Sequence, residues 1–177
     1  LPSHGLVYRY VGFSPDSANV VFAAMNKENQ SATYIQSIAG GPPRRISPFG
    51  FNGRRISPDG RWLMTGNSGC FYLIDLQEPI PSPRKVREAT RDQFNGWHAD
   101  SRRIYCSEVA FDRRSIAFSL FDVFTRRREI CKRINVEDSV GTELMDETAV
   151  TPDGSGLLIT RRTKNSSLVR IRSAALL

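Results

Sequence analysis

The chain of 177 residues contains 25 Lys and Arg against 18 Asp and Glu, which gives a formal net charge of +7. Apolar residues make up 40% of it, enough for one domain with a substantial core. No apolar run approaches the ~18 residues that a membrane-spanning helix needs, so no membrane span is predicted. The excess of basic residues leaves acidic proteins and nucleic acid as partner classes to consider.

In chain order, the first predicted elements are strands joined by polar turns. Residues Leu6 to Phe13 and Asn19 to Met25 are predicted as strands, followed by a polar hairpin and a third strand at Thr33 to Ile38. The Gly40-Gly41-Pro42-Pro43 turn then leads to a short basic strand. No strongly periodic helix is visible, so the pattern predicts an all-β fold.

A turn phrase marks the junction between the first and second strands. At Ile56-Ser57-Pro58-Asp59-Gly60, proline presets φ, aspartate can accept hydrogen bonds from its own turn, and glycine tolerates positive φ. Similar phrases recur at intervals of about 43, 41 and 53 residues, close to the length of a four-stranded propeller blade. The aspartates at these turns are Asp16, Asp59, Asp100 and Asp153.

The segments that follow each phrase repeat in the same register. Two apolar positions come first, then an apolar strand such as Tyr72-Leu73-Ile74-Asp75-Leu76, then a short basic strand such as Arg84-Lys85-Val86. This repeat predicts one domain over residues 1–177, a β-propeller of four four-stranded blades. The predicted blades cover about residues 6–50, 51–92, 93–145 and 146–177.

The Ser-Pro-Asp-Gly turn and the Leu-Ile-Asp-Leu segment carry a family resemblance. They resemble the Pro-Asp variant of WD-type repeats, as found in TolB-like propellers and in propellers attached to bacterial kinases, regulators and prolyl-oligopeptidase-type enzymes. The resemblance covers about Val7 to Ile171 and is specific for fold rather than function. It implies a bacterial protein and leaves the compartment open between cytoplasm and periplasm; the sequence shows no signal peptide.

The repeat also predicts the core and one long loop. The segment from Asn135 to Glu147 is acidic and longer than its counterparts, so it is expected to form a surface loop, with a short helix as an alternative. Cys106 aligns with apolar positions and is expected to be buried. The main core residues are predicted to include Val20, Val21, Leu63, Met64, Ile104, Tyr105, Leu157 and Leu158.

Catalytic and metal-binding chemistry has little support in the sequence. Only His4 and His98 are present, and His98 occupies a turn position of the repeat. No Gly-x-Ser-x-Gly elbow occurs, and Cys70, Cys106 and Cys131 lack the spacing of a zinc site. The sequence therefore predicts no enzyme, no metal and no cofactor. Sequons at Asn29 and Asn165 matter only in a glycosylating host.

Clustered arginines are the strongest charge signal. The candidate basic surface comprises Arg54, Arg55, Arg126, Arg127 and Arg128. Adjacent strand residues point to opposite faces, so solvated blade edges that oppose aggregation are the alternative explanation. The sequence lacks aromatic residues interleaved as in RNA-binding strands, which disfavours nucleic acid.

The sequence is therefore interpreted as a non-catalytic interaction or sensing module for a protein or peptide partner. The alternatives are a propeller that gates a peptidase domain outside this chain, or a basic nucleic-acid-binding surface. The fourth repeat lacks its basic strand, and the chain begins at Leu1 instead of Met. We therefore expect a piece of a larger propeller, completed by flanking sequence or by a second copy in a homodimer, with a closed four-blade ring as the alternative.

Overall fold

A computed structural model describes residues 4–88, 92–111, 115–135, 142–151 and 156–163. These residues form antiparallel sheets, and the described ranges contain no helix. Sheet 1 consists of β1 (Val7–Phe13), β2 (Asn19–Met25), β3 (Ser31–Ser37) and β4 (Arg44–Arg45). Sheet 2 consists of β5 (Asn52–Ile56), β6 (Trp62–Asn67), β7 (Cys70–Asp75) and β8 (Arg84–Glu88).

The second half of the chain continues the same up-and-down order. Sheet 3 consists of β9 (Asp92–Trp97), β10 (Arg103–Val109), β11 (Ser115–Asp122) and β12 (Arg128–Asn135). Sheet 4 has two strands in the described residues, β13 (Thr142–Val150) and β14 (Leu157–Thr163). Within each sheet, every strand pairs with its sequence neighbour, since short turns join antiparallel strands without a crossover.

The first strands of successive sheets lie side by side. β1 contacts β5, β5 contacts β9, and β9 contacts β13. The outer strands β4, β8 and β12 are at the opposite edges of sheets 1, 2 and 3. The sheets are therefore arranged in chain order about a common axis lined by their first strands.

Sheet 2 buries both of its faces because a sheet packs on each side of it. Leu63 packs with Val21 of sheet 1, whereas its neighbour Met64 packs with Ile104 of sheet 3. Successive residues of a strand point to opposite faces, so both are buried, in contrast to the alternation of a one-sided sheet. Hydrogen bonds between sheets fix their positions: Gly53 N donates to Thr33 Oγ1 at 2.7 Å, and Asp59 N to Ser101 Oγ at 2.9 Å.

The predicted core residues are not all buried. Val21, Leu63, Met64, Ile104 and also Cys106 are buried, while Val20 and Tyr105 are half-buried. Leu158 was expected in the core, but its side chain is 67% exposed, since no described sheet packs on it. The side chain of Leu157 lies outside the described residues.

The prediction of a surface loop at residues 135–147 is largely wrong. β12 extends to Asn135, and β13 begins at Thr142, so only residues 136–141 lie between the two strands, and these are outside the described ranges. The acidic composition suggested a solvated loop, but β13 pairs with β14 through its backbone. The register of that pair shifts between Leu144 and Thr148, which shows that an irregular strand accommodates this segment.

Candidate functional site

The turn aspartates of the first three sheets have equivalent hydrogen bonds. Oδ1 of Asp16 accepts from Ala18 N at 3.0 Å, Oδ1 of Asp59 from Arg61 N at 3.1 Å, and Oδ1 of Asp100 from Arg102 N at 3.0 Å. These carboxylates stabilise the turns at one end of the sheets. Asp153 lies outside the described residues.

The positive-φ position of this turn is held by glycine in one sheet and serine in two. Gly60 has φ 77°, whereas Ser17 and Ser101 have φ 57° and 56°. The amide of each donates to the carbonyl three residues earlier, at 2.8–3.1 Å, which closes the same turn in all three cases. The Pro-Asp-Gly sequence is therefore one of several solutions to a single backbone geometry.

The turns border an axial depression of about 400 Å³ at the ends of the first strands. It is lined by Val11, Gly12, Phe13, Pro15, Arg55, Ile56, Pro58 and Trp97. β1, β5 and β9 each contribute, so three sheets build one surface. Among the lining residues, Phe13 and Val11 are 69% and 68% exposed, which places large apolar groups in contact with solvent.

Arg55 supplies the positive charge of the axial depression. A Cβ atom on Gly96 of the neighbouring first strand would lie 3.3 Å from Nη1 of Arg55, so the glycine leaves space for the guanidinium. Trp97 Nε1 donates to the carbonyl oxygen of Arg55 at 3.3 Å, which joins sheet 3 to sheet 2 at the same place. The depression therefore combines apolar side chains, among them Trp97 held by this hydrogen bond, with the cationic Arg55.

A second concave surface, the basic groove, lies between sheets 2 and 3. Its volume is about 590 Å³, and it is lined by Lys85, Val86, Arg87, Phe121, Arg126 and Arg128. Lys85, Val86 and Arg87 belong to the outer strand β8, while the others belong to β11, β12 and the turn between them. The groove is therefore on the outer side of the sheets and shares no lining residue with the axial depression.

The predicted basic surface is thus divided between two places. Arg55 lines the axial depression, whereas Arg126 and Arg128 line the basic groove. Arg127 is exposed in the same turn but does not line the groove, and the side chain of Arg54 lies outside the described residues. Their spacing in the sequence did not indicate this division, because it depends on which sheets pack together.

The turn before β12 is organised by Asp122. Its Oδ1 accepts from Phe124 N at 2.9 Å and Thr125 N at 2.8 Å, and its Oδ2 accepts from Arg102 Nε at 2.6 Å. Burial alone would raise the pKa of Asp122, but the hydrogen bonds from Thr125, Arg102 and Phe124 lower this pKa to about 2. The turn places Arg126 at φ 60°.

Sequence reasoning missed Phe13, Val11 and Trp97 as surface features. They belong to repeated strands, and on sequence alone an apolar strand residue indicates burial. One signal in the sequence could have indicated two of them. An aromatic residue stands directly before the Ser- or His-containing turn in two repeats, at Phe13 and at Trp97. Whether such a residue is buried depends on the sheet that packs beside it.

The two histidines and three cysteines form no recognisable reaction centre in the described part of the chain. Nδ1 of His98 lies 3.2 Å from Oδ1 of Asp100, and Arg103 Nη2 lies 3.4 Å from His98 Nε2, so the ring is held within its turn. All three cysteines are free thiols. Over the described ranges, no group of three or more His, Cys, Asp or Glu side chains is placed to hold a metal. The same ranges contain no helix that could span a membrane.

Comparison with known proteins identifies the fold. No protein-family model matches the sequence, and neither does any curated protein sequence. Among solved structures, TolB from Acinetobacter baumannii is 17% identical, with a TM-score of 0.64 over 91% of this chain and 39% of TolB. The chain folds as a TolB-like β-propeller. The likeness to solved structures concerns the fold alone, because the identities are low.

Propeller domains of peptidases share this fold. The β-propeller domain of the Trilobed protease from Pyrococcus furiosus is 18% identical, with a TM-score of 0.53 over 79% of this chain and 45% of that domain. Acylaminoacyl peptidase from Pyrococcus horikoshii is also 18% identical, with a TM-score of 0.54 over 79% of this chain and 26% of the peptidase. The propeller described here therefore spans less than half the length of each of these structures.

Proposed function

We propose that this TolB-like propeller is a non-catalytic interaction module that binds an extended peptide segment of a partner protein in its axial depression. The observation that carries the proposal is the exposed side chain of Phe13 in a depression that also contains Arg55. Concave surfaces with large apolar side chains and a few polar groups are the usual form of a binding site.

The axial depression is suited to a ligand with both an apolar and an acidic group. Covering Phe13 and Val11 would remove apolar area from water, which contributes about 25 cal/mol per Å². Arg55 can bind a carboxylate through two parallel hydrogen bonds. Trp97 and the prolines have little conformational freedom, so binding costs little ordering entropy. The expected ligand is therefore a peptide with an apolar side chain beside a carboxylate.

A display library of short peptides with free carboxyl termini tests this proposal. Selection against the wild-type chain should enrich apolar-acidic sequences, and the affinity of an enriched peptide should fall about tenfold or more in Phe13→Ala and Arg55→Gln. Arg44→Gln is the matched control, because Arg44 is exposed on β4 and lies outside the depression. Enriched peptides that bind both variants as tightly as the wild type would refute the proposal.

A second function is a propeller that gates the catalytic domain of a longer peptidase. It is favoured by the similarity to the propellers of the Trilobed protease and of acylaminoacyl peptidase. The full-length open reading frame discriminates the two: a hydrolase domain encoded next to this segment supports gating. An adjoining kinase or winged-helix domain supports a sensing module instead.

A further inference from the structure

We propose that the basic groove between sheets 2 and 3 is a second docking site, which binds an acidic segment of a partner protein. The inference goes beyond the proposed function, because the groove and the axial depression share no lining residue. Four cationic side chains line the groove, namely Lys85, Arg87, Arg126 and Arg128. Its volume of about 590 Å³ is within the range of small-molecule and cofactor sites.

The arginines of the groove are held in place by contacts with the fold. The guanidinium carbon of Arg87 lies 5.0 Å from the centre of the Phe121 ring. Arg128 donates from Nε to Ser119 Oγ at 2.9 Å, and Arg126 donates from Nη2 to the carbonyl oxygen of Lys85 at 3.3 Å. Side chains that are already positioned lose less entropy when a ligand binds.

Charge complementarity determines the chemistry of the occupant. Within the groove, Arg128 already contacts Glu108 at 3.0 Å, so one cation is partly neutralised. Lys85, Arg87 and Arg126 are the other positively charged residues of the lining. Arginines bind carboxylates in a planar, two-point geometry, so an Asp- or Glu-rich segment is the complementary ligand.

An acidic peptide fits this groove better than single-stranded nucleic acid. Sequence-independent binding of single strands relies on aromatic faces on which bases can stack. Phe121 is the aromatic residue of the groove lining, but it is only 4% exposed and Arg87 covers its ring. The groove therefore offers cations without an accessible stacking surface.

The test uses fluorescence anisotropy of the full chain with a labelled peptide of about ten residues, in which Asp and Glu alternate with Ser. The wild-type chain should bind the peptide at low salt, and its affinity should fall steeply between roughly 50 and 300 mM salt. Arg126→Gln and Arg87→Gln should each weaken binding by about tenfold. The matched control is Arg127→Gln, which removes the same charge one residue away and outside the groove.

The results separate a built site from a general basic surface. Wild-type affinity in Arg127→Gln together with loss in Arg126→Gln supports the groove. Equal losses in both variants would show that the peptide senses only net charge, and would overturn the proposal. Tighter binding of a labelled single-stranded DNA of equal charge, or no peptide binding at roughly 50 mM salt, would overturn it as well.

Discussion

The Nε atom of Arg102 lies 2.6 Å from Oδ2 of Asp122, which joins the turn before β10 to the turn after β11. Sheet 2 contains the same pair: Arg61 donates to Oδ2 of Asp75 from Nε at 3.1 Å and from Nη2 at 2.7 Å. Each arginine stands two residues after a turn aspartate. The ion pair is thus a repeated feature of sheets 2 and 3.

Sheet 1 keeps the geometry of these positions without the charges. Asn19 pairs with Ser37 in the register where Trp62 pairs with Asp75 in sheet 2. Ala18 occupies the position of the arginine, so no ion pair can form there. The pair is therefore an addition to the hairpin and is not required for its register.

The Asp122 ion pair predicts a pH-dependent stability. The pKa of the Asp122 carboxyl is about 2 in the folded chain, below the ordinary value of 3.8, so ionisation of this group favours folding. This stabilisation is present above about pH 4 and is lost as the pH falls towards about 2. Because the carboxylate is partly exposed and screened, Asp122→Asn should cost only about 1 kcal/mol at pH 7.

Urea unfolding at several pH values measures this effect. The difference between wild type and Asp122→Asn should shrink as the pH approaches about 2. Glu78→Gln is the control, since Glu78 pairs with an Arg84 side chain that is 59% exposed, and it should change the free energy of unfolding little. A pH-independent loss in Asp122→Asn would contradict the electrostatic explanation.

Leu63 tests the packing between sheets 1 and 2. Its side chain is fully buried, so Leu63→Ala should lower the free energy of unfolding by about 2–5 kcal/mol through lost burial and a cavity. Leu158→Ala is the matched control, because it makes the same chemical change at a mostly exposed position and should cost far less. Similar losses in both variants, measured by urea unfolding, would contradict the core described here.

Gly53 tests the close approach of two strands in sheet 2. A Cβ atom at this position would lie 2.4 Å from the carbonyl oxygen of Met64, so Gly53→Ala must shift the backbone of β5 or β6. We expect a lower thermal midpoint for this variant. Gly66→Ala is the control, because its Cβ atom would meet nothing closer than Cys70 O at 3.9 Å. Equal midpoints for Gly53→Ala and wild type would refute the steric argument.

The exposed apolar residues of β1 predict self-association or closure by additional sequence. Val7 and Tyr10 are more than half exposed and do not line the axial depression, and soluble proteins usually cover such a surface. If a second copy covers them, light scattering should give the mass of a dimer, and Val7→Ser should shift it towards the monomer. A stable monomer at high concentration would exclude completion by a second copy.

Local chemistry made much of the fold predictable. Aspartate with glycine or serine sets the turns before β2, β6 and β10, and proline precedes the aspartate in the first two, because these effects act within four residues. The strand predicted at Asn19 to Met25 matches β2, for the same reason. Cys106 was correctly expected to be buried, since its position in the repeat is apolar. The all-β class and the likeness to TolB follow from these local repeats.

Which side chains are exposed, and which of them share a surface, depends on how the sheets pack together. A strand pattern shows which residues alternate but not whether a sheet lies on each side, so Met64 and Leu63 are both buried while Leu158 is exposed. The same limit applies to charge. Arg55 and Arg126 both stand in arginine clusters, but one lies at the axis and the other at an outer groove. Arg55 belongs to the first strand of sheet 2, whereas Arg126 lies in the turn that leads to the outer strand of sheet 3.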